Sequence, residues 1–180
     1  MSTSPSSQRS VAILVTDGFE QVELTGPRDA LKAAGIQTRI VAPDAGTVQG
    51  FHHDTKGDAL AVDLTLKEAK PADFDAVLLP GGVINSDALR VDEDAQAFVK
   101  AIDKAGKPVA VICHGAWLLI DAGLVKGKTL TSWPSLATDL RNAGAEWVDK
   151  EVQEQGAWIS SRKPDDLPAF QKALVQRLQG

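Results

Sequence analysis

Tyrosine is absent from the 180 residues, and cysteine and methionine occur once each. A single cysteine, Cys113, excludes an internal disulfide, a CxxC redox pair and any multi-thiolate metal centre. Phenolic acid-base chemistry is excluded with the missing tyrosine. Histidine is also scarce: a histidine metal site would have to use His52, His53 or His114. The adjacent pair His52-His53 chelates poorly and reads as a surface turn, so neither a metal nor another cofactor is expected. There is no surplus of positive charge, since 19 Lys and Arg face 24 Asp and Glu for a net charge of -5. Such a balance gives no electrostatic footprint for nucleic acid or an anionic membrane. The longest nearly apolar run, Val109 to Ile120, is interrupted by His114 and falls short of the ~20 residues of a membrane span. Met1 to Arg9 is polar and lacks the apolar centre of a secretory signal. These residues 1–9 are expected to form a flexible tail, and the protein to be cytoplasmic.

What is present describes one ordinary domain over residues 10–180, with 43% hydrophobic and 24% charged residues. Short apolar runs alternate with helical patterns, the signature of an α/β fold. Val11 to Val15 is apolar throughout, which suits a strand covered on both faces. A helix over Pro27 to Ala34 follows, with Pro27 in its first turn and Gly35 as its stop, and then a strand over Ile36 to Ala42. Thr47 to Leu66 reads as a β-hairpin excursion. Asp75 to Pro80 and Val109 to Ile112 are further buried strands. Between them a helix begins at an Asp92 cap and carries Ala95, Phe98, Val99 and Ile102 on one face. Helices over His114 to Ala122, Pro134 to Ala143 and Asp166 to Leu178, with strands near Leu130 and within Glu146 to Ser161, complete a doubly wound, mostly parallel sheet.

In such sheets ligands bind beyond the carboxyl ends of the strands. The first strand runs into Asp17-Gly18-Phe19-Glu20, the third into Gly81-Gly82 and the fourth into Cys113-His114-Gly115. A buried strand leading straight into a cysteine, with a helix starting at once, has the layout of a nucleophile elbow. The helix N-terminus there favours thiolate over thiol, and a Cβ at Gly115 would crowd the strand-helix junction. The alternative is a small buried apolar cysteine with no chemistry. Gly81-Gly82 can present backbone N–H groups to an oxyanion or can simply form a turn. Glu20 can be a first-turn helix carboxylate, and Trp117 and Trp133 can line a pocket or pack the core.

Taken in order, Asp17-Gly-Phe-Glu-Gln-Val-Glu-Leu24, Leu78-Leu-Pro-Gly-Gly82, Lys107-Pro-Val-Ala-Val-Ile-Cys-His-Gly115 and Thr131-Ser-Trp133 resemble the motifs of the ThiJ/PfpI family. Asn142 to Asp149 and Ser160-Ser-Arg162 are similar to its PfpI and general stress protein branch. The resemblance implies a flavodoxin-like fold with the nucleophile elbow of class I glutamine amidotransferases. It makes Cys113 the nucleophile, His114 its following histidine, Glu20 the buried glutamate facing the sulfur, and Gly82 with the His114 amide the oxyanion hole. An acidic residue after the Gly-Gly turn, contributed by a neighbouring subunit, completes the site of the family's peptidases. Asp87 takes that place, where the family carries glutamate, and Val111 and Ala116 also depart from the family's usual residues. A homodimer or larger oligomer is implied. The activity expected is that of a stress-response hydrolase acting on reactive carbonyls or glycation adducts, as in a glyoxalase or deglycase. Alternatives are an intracellular cysteine peptidase, and a redox sensor or chaperone without turnover. Aldehydes and labile adducts ask less of the site than an amide, whose amine leaving group needs a well-aligned acid.

Overall fold

The computed structural model describes residues 7–180. Strands and helices run in the order β1 (Ser10–Leu14), β2 (Phe19–Glu20), α1 (Gln21–Ala33), β3 (Gln37–Ala42), β4 (Thr47–His52), β5 (Thr55–Ala61), β6 (Leu64–Thr65), β7 (Ala76–Leu79), α2 (Val83–Arg90) and α3 (Glu93–Lys104). The second half holds β8 (Val109–Ile112), α4 (Ala116–Asp121), β9 (Thr129–Leu130), α5 (Ala137–Asn142), β10 (Glu146–Trp147), β11 (Gln153–Gln155), β12 (Trp158–Ser161) and α6 (Leu167–Gln179). Seven strands form the main sheet in the order β11-β12-β8-β7-β1-β3-β6. Every pairing is parallel except that of the edge strand β11 with β12. Of the expected tail, residues 1–6 lie outside the described residues. Gln8 is tied in through its amide donating to the Gly35 carbonyl, and the Arg9 carbonyl accepts the Gln37 N–H.

The unbroken apolar strands follow from burial on both faces. Val11 and Ile13 of β1 face Leu24 and Leu31 of α1 and Phe170 and Leu174 of α6. Ala12 and Leu14 turn the other way, into a layer with Phe98, Val99 and Ile102 of α3 and Leu118 and Leu119 of α4. This period-two alternation makes two cores out of one strand. Helix α3 starts as its sequence requires, with Asp92 accepting the Ala95 N–H at 2.9 Å. The excursion is a hairpin of β4 and β5, extended by parallel pairing of β2 with β4, while β6 belongs to the main sheet.

Two helices differ from expectation. Helix α1 begins at Gln21, so Pro27 sits inside it rather than in its first turn. Without an N–H, Pro27 leaves the Glu23 carbonyl lacking its usual i+4 partner, a defect the packed helix tolerates. Helix α2 has no counterpart in the apolar pattern because its polarity is inverted. Asn85 and Ser86 are buried, whereas Val83 and Ile84 are 53% and 64% exposed.

Candidate active site

Strands β8, β7 and β1 are neighbours, so the segments leaving their carboxyl ends converge. The chain turns to β3 on one side of β1 and to β7 and β8 on the other, which places a topological switch point beside these ends. Above it lies a cleft of about 470 Å³. Cys113, His114, Gly82 and Glu23 form its floor, and Phe51, His53 and Asp54 reach it from the β4–β5 hairpin.

Cys113 leaves β8 with φ of 61°, a left-handed conformation unfavourable for a residue with a side chain. That turn is the elbow: it lifts Sγ away from the sheet and toward the cleft. Gly115 is required beneath it, since a Cβ there would meet the Leu79 carbonyl oxygen at 2.6 Å. At Gly81 a Cβ would lie 2.7 Å from the Cys113 Cβ. Gly82, with φ of 88°, would drive a Cβ into the Gly18 carbonyl. Its backbone N–H and that of His114 are directed at Sγ.

Glu20 was expected opposite the sulfur, and the structure corrects this. The carboxyl beside Cys113 belongs to Glu23, which is fully buried and accepts the Gly81 N–H on Oε1 at 2.8 Å. The cause is the earlier helix start. With α1 opening at Gln21, Glu23 lies one turn before Pro27 and two before Leu31 on the buried face. Glu20 instead caps the helix with extended backbone. Its carboxylate sits on the cleft wall and accepts the His53 N–H at 3.1 Å. Asp87 lies exposed on α2 and outside the cleft lining. Gly81 is packed behind the cysteine rather than exposed to the cleft, and Trp117 is also absent from the lining, while Trp133 is part of it.

Burial raises the Glu23 carboxyl to a pKa of about 8, helped by the negative charge of Glu20. The Gly81 N–H opposes this only in part. Glu23 is therefore neutral at pH 7, and its Oε2, which has no other partner, is the atom free to carry the proton. Burial also pushes the Cys113 thiol up, as does any charge on Glu23, while the Gly82 and His114 amides pull it down. The expected helix-driven lowering of the thiol is thus opposed by burial that sequence did not reveal. His114 is held below its ordinary pKa by burial and is neutral, with Nδ1 at 3.1 Å from Sγ. Trp133 stacks on its ring at 5.8 Å between centroids, and Trp117 meets it edge-on at 5.2 Å. Trp117 is itself fixed by donating to Asp139 and by Arg90 lying over its ring. Among the described residues, no group of three or more His, Cys, Asp or Glu is placed to hold a metal, and no helix is long and apolar enough to cross a membrane.

A cysteine on a strained elbow at the switch point of a doubly wound sheet, beside a buried neutral carboxyl, defines a class of thiol-dependent α/β proteins. Residues 9–177 match the DJ-1/PfpI family, and the chain belongs to it. It is 42% identical over 169 residues to the deglycase TK1284 of Thermococcus kodakarensis, covering 94% of this chain and 99% of that protein. It is 41% identical over 173 residues to protein/nucleic acid deglycase 2 of Escherichia coli, covering 94% of this chain and 98% of that protein. A two-domain protein of Anabaena variabilis, with DJ-1/ThiJ/PfpI-like and ferritin-like domains, superposes with a TM-score of 0.91 at 33% identity. The match covers 96% of this chain and 48% of that one.

Proposed function

We propose that the protein is a Cys113-dependent deglycase that releases reactive carbonyls from their labile adducts with amines, guanidines or thiols. The observation that carries this reading is the convergence of Sγ, a neutral His114 Nδ1 at 3.1 Å and two backbone N–H groups on one point of an open cleft. Sγ attacks the carbinol carbon of the adduct as its proton passes to Nδ1. The bond from that carbon to the amine, guanidine or thiol breaks, and His114 returns the proton to the departing group, leaving a hemithioacetal on Cys113. The hemithioacetal oxygen, facing the Gly82 and His114 N–H groups, gives its proton through His114 to sulfur as the C–S bond breaks, which frees the carbonyl and restores the thiol. Glu23 stays neutral at the sulfur, where a second negative charge would oppose the attack.

The cleft also bears on substrate charge. Its lining includes Glu20 and Asp54 and no lysine or arginine, so neutral or cationic adducts are favoured over those carrying phosphate or carboxylate. Peptide cleavage ranks lower. The amine of a stable amide needs a well-aligned acid to leave, and Asp87, which would supply it from a second copy, is shorter than the glutamate that the resemblance implies there. The protein acts in the cytoplasm as a homo-oligomer, the apolar outer face of α2 packing on a second copy beside the cleft mouth. Parallel assays of free-amine release from a methylglyoxal–amine adduct and of casein cleavage, each with Cys113→Ala as control, test the reading. Adduct release that disappears with Cys113 is expected. Thiol-dependent casein cleavage without adduct release would replace it with the peptidase reading.

A further inference from the structure

The inverted helix α2 buries an amide with a specific task. Asn85 is fully buried, yet every polar atom of its side chain is satisfied. Oδ1 accepts the Thr16 N–H at 2.8 Å, and Nδ2 donates to the carbonyls of Pro80 at 3.3 Å and Gly81 at 3.0 Å. The Gly81 carbonyl accepts a second bond, from the Glu20 N–H at 3.2 Å. That carbonyl belongs to the same peptide unit as the Gly82 N–H directed at Sγ. In a planar trans peptide the two point in opposite directions. Holding the oxygen toward Asn85 therefore aims the N–H at the site. The unit lies between two glycines, where rotation of the peptide meets the least steric resistance. Turned over, it would set a carbonyl oxygen against the sulfur and the developing oxyanion, and both would be repelled.

We propose that Asn85 is a positioning residue: it locks the Gly81–Gly82 peptide with its N–H toward the reacting centre and anchors that turn to the end of β1. This rests on the reading of the Gly82 N–H as an oxyanion donor. Asn85 touches neither substrate nor sulfur and acts only through the peptide it holds.

Asn85→Asp has nearly the same shape but replaces the donating Nδ2 with an acceptor facing two carbonyls. At pH 8 it should lower kcat for adduct release about 10–100-fold with KM little changed. As pH falls and the new carboxyl gains a proton, it regains one donor, so its rate relative to the parent protein should recover. Asn85→Leu, which can never donate, should show no such recovery. A residue that merely fills space would give both variants the same deficit at every pH, and that result would overturn the proposal. So would a parent-like kcat for Asn85→Asp at pH 8. Iodoacetamide alkylation of Cys113 supplies a substrate-free readout, because the Gly82 N–H also stabilises the thiolate. In Asn85→Asp the alkylation profile should move to higher pH, and an unmoved profile would contradict the lock. If the parent protein releases no adduct but this profile moves, the deglycase reading fails while the lock stands. Should Asn85→Leu not fold, the pH dependence of Asn85→Asp decides alone.

Discussion

Helices α2 and α3 follow one another in the chain and obey opposite rules. Helix α3 turns Ala95, Phe98, Val99 and Ile102 inward, is capped by Asp92, and serves the core. Helix α2 buries Asn85 and Ser86 and leaves Val83 and Ile84 outside. The first is shaped by the hydrophobic effect. The second is shaped by the backbone it must hold at the carboxyl end of β7 and by the surface it presents beside the cleft. Inverted polarity next to a strand end thus marks where folding requirements give way to those of a site.

Substitutions on the two helices should separate these roles. Phe98→Ala in α3 removes a core aromatic and should destabilise the fold by about 3–5 kcal/mol, measured by urea denaturation, with kcat per folded molecule unchanged. Glu23→Gln should act in the opposite sense, raising stability. Glu23 holds its proton more tightly folded than unfolded, so its stabilising contribution is full below pH 4.5 and is lost as pH rises to about 8. An amide avoids that loss, and the variant should be more stable at pH 7 by about 3 kcal/mol, with flatter stability between these pH values. Equal pH dependence in both proteins would place the proton elsewhere. Glu20→Gln combined with Asp54→Asn should narrow the preference for cationic over phosphorylated adducts by about three- to tenfold in kcat/KM. The smallest effect on stability, within about 0.5 kcal/mol, is expected for Ile84→Ser on the outer face of α2. The same change should weaken self-association, read by light scattering.

The fold was legible wherever burial was two-sided. Val11 to Val15, Asp75 to Pro80 and Val109 to Ile112 announce strands because neither face tolerates a polar residue, and their junctions with Gly81, Gly82 and Cys113 point to the site. Helix α2 was illegible because the apolar pattern that marks a helix reports core contact, and here only Leu89 is apolar among the buried residues, beside the polar Asn85 and Ser86. Glu23 was missed for a related reason. Gly26 and Pro27 resemble a boundary, and a helix begun there leaves Glu20 and Glu23 equally placed in a loop. Only a start at Gln21 sends one inward and the other to the wall. His53 and Asp54 reach the cleft through the pairing of β2 with β4, a tertiary contact between segments about 30 residues apart that no local pattern encodes.

The central claim is that Glu23 and Cys113 are a coupled pair, on which the charge of Glu20 acts more weakly from the cleft wall. The rate of Cys113 alkylation by iodoacetamide, followed against pH in the parent protein, Glu23→Gln and Glu20→Gln, tests this directly. A glutamine cannot take on the charge that opposes thiolate formation. The Glu23→Gln profile should therefore move to lower pH by about one unit, and that of Glu20→Gln by much less. A profile that moves in Glu20→Gln and stays in place in Glu23→Gln would contradict the account.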